Sequence, residues 1–188
     1  MILQLIQTST KKVVKYVATY ESIDRLIKFK INEKSVLDIL DSPLKILSRY
    51  RQLGLDDSES GGLVIGYESL ITGNYTIVDM TLPGIHDFRS RVRFIRRDRT
   101  HVKALEQSKS KGGYIGTWHT HPQVDPIPTV TDIIDWKESM EVNINQTRYL
   151  IFIITGIERF RVWIGDCKLK QIKEILECEK INDIYINS

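Results

Sequence analysis

Two of the four histidines in the chain, His119 and His121, lie one residue apart in the run Gly116-Thr117-Trp118-His119-Thr120-His121-Pro122. Asp132 follows at the start of an expected helix, after a connection stiffened by Pro122, Pro126 and Pro128. In an extended segment, residues i and i+2 point to one face, so both imidazoles can aim at one point. Two imidazoles and a carboxylate form a three-ligand zinc set with one coordination position open, the arrangement of a catalytic rather than a structural zinc. Such a site brings a bound water toward a pKa of about 7. Its ligands bind deprotonated, so the chemistry is expected to fail in mild acid.

An H-x-H pair alone is weak evidence, because unrelated surface or core histidines give the same spacing. Asp132 has a second reading as well. Thr129-x-x-Asp132 resembles a helix capping box with Asp in place of Glu or Gln, and the cap and ligand roles are compatible. A further carboxylate strengthens the metal reading. Glu59 stands in Ser58-Glu59-Ser60-Gly61-Gly62-Leu63-Val64-Ile65-Gly66, just ahead of a glycine pair and an apolar, strand-like run.

Glu59, His119-Thr120-His121-Pro122, Thr129 and Asp132 together resemble the JAMM signature of the JAB/MPN metallopeptidases. The likeness spans roughly residues 59–164, and the Glu-Ser-Gly-Gly start is the form of bacterial members. Thr129 stands where many members have Ser. The resemblance implies an α/β (α+β) MPN/JAB fold, cytidine-deaminase-like, with a mixed, mostly antiparallel sheet flanked by helices. It implies one zinc ion per chain on His119, His121 and Asp132, with Glu59 as general acid/base. Thr129 is expected to donate a hydrogen bond to the developing oxyanion. The implied activity is zinc-dependent cleavage of a peptide or isopeptide bond after the C-terminus of a ubiquitin-like modifier or conjugated protein. Within the family, the chain is most similar to small deconjugating peptidases of CBASS-type anti-phage operons, whose substrate is a nucleotidyltransferase. Two other classes stay open: a catalytically inactive MPN scaffold, and a nucleic-acid module. The first usually lacks part of the signature, all of which is present here.

The nucleic-acid alternative rests on the six arginines of residues 89–99. Arginines interleaved with aromatic residues can clamp a backbone, but a net charge of +3 does not argue for nucleic acid. The stretch reads instead as a strand with Arg91, Arg93 and Arg97 solvated and Val92 and Phe94 inward. By family likeness this region flanks the substrate groove, so Arg89 and Arg91 are expected to meet an acidic partner surface. His101 reads as structural, while His86 follows a turn at the expected edge of the cleft.

A chain of 188 residues with 41% hydrophobic content can bury one sizeable core. We expect one JAB/MPN domain over residues 32–188, with residues 1–31 as an N-terminal extension or edge strands. Cys167 and Cys178 are too few for a disulfide framework. No run suits a membrane span, and the first residues make a poor signal peptide, so a cytoplasmic protein is expected.

Strands are expected near residues 12–18, 23–31, 62–68, 75–82, 114–119, 148–155 and 160–164. Helices are expected over 32–53, broken by Pro43 near Asp41-Ser42 and capped by Gly54, and over 98–108, 129–142 and 169–180. Trp118 alternates with the histidines and should face the core. The glycine pair after Glu59 suggests a mobile loop.

Overall fold

The computed structural model describes residues 26–178. The expected strand at 12–18, most of the proposed N-terminal extension, and the last residues of the expected C-terminal helix lie outside that range.

An eight-stranded sheet forms the body of the molecule. Its strands are β1 (Ile27–Lys30), β2 (Val36–Ile39), β3 (Gly61–Glu68), β4 (Tyr75–Met80), β7 (Gly113–Thr120), β8 (Tyr149–Thr155), β9 (Phe160–Asp166) and β10 (Gln171–Ile175). They run in the order β1-β2-β4-β3-β7-β8-β9-β10. The β2–β4 and β7–β8 pairs are parallel and the other five are antiparallel. Two short strands, β5 (Phe88–Ser90) and β6 (Arg93–Ile95), form a separate hairpin. The helices are α1 (Asp41–Arg49), α2 (Thr100–Gln107) and α3 (Val130–Val142). This is the mixed, mostly antiparallel α+β architecture expected from the sequence. Among the described residues no helix is long and apolar enough to cross a membrane.

The centre of the sheet explains the apolar run at 149–154. Every residue of β8 is buried, because alternate side chains enter two different cores. Ile151 and Ile153 join Leu37, Ile39, Leu47, Val64, Ile77 and Trp118 on one face. Leu150, Phe152 and Ile154 join Trp136 and Met140 of α3 and Trp163 of β9 on the other. The Trp136 and Phe152 rings stack at 4.6 Å and 6°. Each such side chain contributes about 1.5–3 kcal/mol on burial.

The outer edges of the sheet meet. Phe29 of β1 bridges to Glu177, Lys30 N–H donates to Leu176 O, and Cys178 N–H donates to Lys28 O. The segment after β10 therefore pairs with β1 and covers its free side. Cys167 is buried, Cys178 half-buried, and both are free thiols.

Three local expectations are corrected. Residues 32–40 are not helical, since Val36–Ile39 is a strand inserted between β1 and β4. The helix starts at Asp41, and Pro43 sits in its first turn, where no N–H is needed. It ends at Arg49 with Tyr50 as its C-cap, so Gly54 does not cap it; Gly54 N–H instead donates to Asp57 Oδ2 in a later turn. Near the C-terminus, Gln171–Ile175 is a strand rather than a helix, because a turn with Lys170 at φ 54° folds it back onto β9. Leu169 and Leu176, which supported the helical period, are exposed.

Candidate metal centre and its carboxylate

Strand β7 ends at the site. Past a register shift against β3 at Ile115, its burial alternates, with Trp118 and Thr120 inward, and Trp118 Nε1 donates to Thr81 O. His119 lies on the opposite face from Trp118. His121, just past the strand, prolongs the pairing with β8 through its N–H to Thr155 O at 2.9 Å. The proline-rich connection is anchored on the β8–β9 turn: Ile157 N–H donates to Gln123 O, and the Arg161 guanidinium donates to Pro126 O. It delivers the chain to Thr129, the N-cap of α3.

The capping box reaches the histidine pair directly. Thr129 Oγ1 accepts from Asp132 N–H, while Thr129 N–H and Oγ1–H donate to Asp132 Oδ2 at 2.6 and 2.7 Å. With Oδ2 occupied by the cap, Oδ1 faces His119 Nε2 at 3.2 Å. The Thr129 hydroxyl proton, expected to serve an oxyanion, is here directed at Asp132.

His119, His121 and Asp132 converge as a group that could hold a metal ion. The two Nε2 atoms are 3.0 Å apart, and Asp132 Oδ2 lies 3.5 Å from His121 Nε2. A tetrahedral shell with bonds of about 2.0–2.1 Å puts its donors about 3.3 Å apart. Both the donor chemistry and the spacing therefore fit zinc. The His119 and Asp132 side chains retain 13% and 16% exposure, so the cluster opens to solvent on one side.

The surroundings favour a neutral His121 and an ionised Asp132. Burial, then the neighbouring His119, lowers the pKa of the His121 imidazole, which favours its neutral form. Burial pushes the Asp132 carboxyl up, but hydrogen bonding and charge from His119, together with Thr129, hold it well below the usual carboxylate range. Glu59 is 5% exposed, and its Oε1 lies 3.9 Å from His121 Nε2. Burial, with the Asp132 charge adding to it, pushes the Glu59 carboxyl up to about 8, against a hydrogen bond from the Phe94 backbone.

The glycine pair after Glu59 belongs to β3, and close packing is the reason for it. A Cβ on Gly61 would meet the Phe94 ring at 2.5 Å, and one on Gly62 would meet Thr81 O at 2.1 Å. Glu59 itself is tied to the hairpin by its N–H to Ser90 O. Val92, expected inward, is exposed because it sits at the tip of the β5–β6 turn, whereas Phe94 packs over Gly61.

Both arginines expected to face a partner turn onto backbone carbonyls. Arg89 donates to Glu59 O and Ser58 O, and Arg91 to Gly54 O and Leu55 O. His101 is buried between Thr81 Oγ1 and Asp87, as a structural residue should be. His86 contributes its N–H to Asp98 and is not part of the His-His-Asp cluster. Gln52 and Thr120, hydrogen-bonded to each other at 3.1 Å, hold the segment before β3 and were not singled out in the sequence. Thr120 carried a weak signal, as the inward residue between two outward histidines, and Gln52 carried none.

A family model of prokaryotic homologs of the JAB domain matches residues 47–165. A protein named CD-NTase/cGAS isopeptidase from Vibrio cholerae serotype O1 is 33% identical over 142 residues, covering 73% of this chain and 85% of the relative. One of the same name from Escherichia coli is 31% identical over 157 residues, covering 77% and 95%. A third, from Pseudomonas aeruginosa, is 28% identical over 111 residues, covering 56% and 68%. With a match over more than half its length, on residues that include the histidine pair, the aspartate and the buried glutamate, the chain belongs to the prokaryotic JAB-domain family.

Proposed function

We propose that the chain is a zinc-dependent isopeptidase of the JAMM type. Its substrate class is a nucleotidyltransferase of the CD-NTase/cGAS kind, joined through its C-terminus to another protein, and its setting is bacterial anti-phage defence. The observation that carries this reading is a convergent His-His-Asp set with a buried carboxyl 3.9 Å from one of its imidazoles. The names and coverage of the relatives support the substrate class.

His119, His121 and Asp132 would hold the metal. When bound, zinc supplies a Lewis acid that acidifies a water and polarises a scissile carbonyl. Glu59 Oε1 would take a proton from the attacking water and hand it to the leaving amine nitrogen as the C–N bond breaks. Burial raises the proton affinity of Glu59 above that of an exposed carboxylate, which suits a group that takes a proton and then hands it on. Thr129 fixes the carboxylate of Asp132.

The test is zinc content beside cleavage of a CD-NTase–protein conjugate, on the native chain and on Glu59→Gln. One zinc per chain in both, with cleavage slowed about 10²–10⁴-fold in the variant, is expected. Zinc without cleavage in either would refute the substrate class. Absence of zinc in both would favour a catalytically inactive scaffold.

A further inference from the structure

The segment that carries Glu59 has no regular structure from Asp57 to Ser60, yet Glu59 and Ser60 are buried. Buried backbone polar groups outside helix and sheet need partners from elsewhere. Each partner here can be named. Asp57 O accepts from Gln52 Nε2 at 2.9 Å. Ser58 O and Glu59 O accept from Arg89 at 3.2 and 2.7 Å, and a further Arg89 N–H reaches Ser60 Oγ at 2.6 Å. Glu59 N–H donates to Ser90 O at 2.8 Å. Ser60 N–H donates to Thr120 Oγ1 at 3.0 Å, and Ser60 O accepts from Thr120 N–H at 2.9 Å.

Gln52 completes the set. Its Oε1 accepts the Thr120 hydroxyl proton at 3.1 Å, which turns a Thr120 lone pair toward Ser60 N–H. Its second amide hydrogen goes to Arg91 O at the hairpin turn. One side chain therefore joins the histidine strand, the Glu59 segment and the hairpin.

We propose that Arg89 and Gln52 are positioning residues that set the Glu59 carboxyl against the histidine pair, by clamping residues 57–60 between the β5–β6 hairpin and β7. The role in turnover rests on the peptidase function proposed above. Arg89 is suited to it because its planar fork meets two carbonyls and a hydroxyl at once, which a lysine ammonium cannot reproduce. Among the described residues no carboxylate forms an ion pair with it.

The test uses the full zinc-loaded chain, native and as Arg89→Lys, Gln52→Leu and the double variant. Zinc content, amide hydrogen exchange by peptide mass spectrometry, and kcat and KM on the same CD-NTase conjugate are measured. Zinc should remain at one per chain. Exchange should quicken at least about tenfold at residues 57–60 and stay unchanged in β8. kcat should fall about 10–100-fold with KM within about threefold, the pattern of a misplaced reacting group. The double variant should be little worse than the worse single, because the two act as one unit.

Unchanged exchange at 57–60 overturns the proposal, whatever the rates do. A raised KM with kcat kept would make Arg89 a substrate contact instead. Zinc loss with faster exchange throughout would make both residues general supports of the fold. A native chain that cleaves nothing would sink the peptidase function, while exchange and zinc content would still decide whether the clamp exists.

Discussion

Replacing Thr129 by valine separates the two services of the capping box, because valine keeps the shape and removes the hydroxyl. The first loss is to the helix: an N-cap side chain contributes about 1 kcal/mol, which should appear in the metal-free protein. The second is to Asp132. Its Oδ2 keeps the Thr129 N–H at 2.6 Å but loses the hydroxyl at 2.7 Å. A carboxylate freed from one χ1 well into three loses RT ln 3, about 0.6 kcal/mol, of preorganisation. The lost charge-assisted bond adds up to about 1.5 kcal/mol, the low end for a solvent-accessible pair. The sum, about 0.6–2 kcal/mol, is a 3- to 30-fold weaker zinc Kd on the scale of about 1.4 kcal/mol per tenfold. Zinc competition against a chromophoric chelator measures the second loss, and urea unfolding of the metal-free chain the first. Thr129→Ser should stay within about twofold of native in both. If the valine variant loses helix stability but binds zinc as the native chain does, Oδ1 does not depend on the cap and this account of the site fails.

Chelation should lower the melting temperature and zinc should restore it, since free metal at about 1,000 times Kd adds about 4 kcal/mol; an identical melt with and without metal would mean that the cluster binds none. Asp98→Asn tests acid stability. Backbone N–H groups of Thr100 and His86 lower the Asp98 carboxyl to about 2, below its unfolded value of about 3.9. Its stabilisation is then complete above about pH 4 and lost as pH falls through about 2, so unfolding midpoints of native and variant should converge over that window. Phe152→Ala removes the ring stacked on Trp136 in a fully buried position and should cost about 3–5 kcal/mol in urea unfolding. A loss under about 1 kcal/mol would contradict the packing of that second core.

The site was legible where local rules and tertiary packing agree. Alternation along β7 separates the histidines from Trp118, and the Thr129–Asp132 box marks both the start of α3 and the carboxylate of the candidate metal cluster. The strand expected at 148–155 appears as β8, whose unbroken apolar run lies between two cores. The failures share one cause, which is pairing that local sequence does not encode. Val36, Leu37, Ile39 and Leu40 satisfy a helical period, but a partner strand on either side holds residues 36–39 extended. Leu169, Ile172 and Ile175 fit a helical period too, until the turn at Lys170 turns β10 back along β9. Gln52 was invisible for the same reason, because its partners lie 5, 39 and 68 residues away.

The meeting of the sheet edges between Lys28–Lys30 and Leu176–Cys178 makes the fold cyclic in space. The chain enters and leaves the described region at one patch of surface, so an attachment made at either point hangs from the same place. The 69–74 turn between β3 and β4 exposes Leu70 and Ile71 almost completely. A permuted chain that opens there and joins residue 178 to residue 26 by a short linker keeps every strand pairing. It leaves the segments that carry Gln52, Glu59, Arg89, His119, His121 and Asp132 uncut, and places new termini on the side of the sheet where a tether can be chosen afresh.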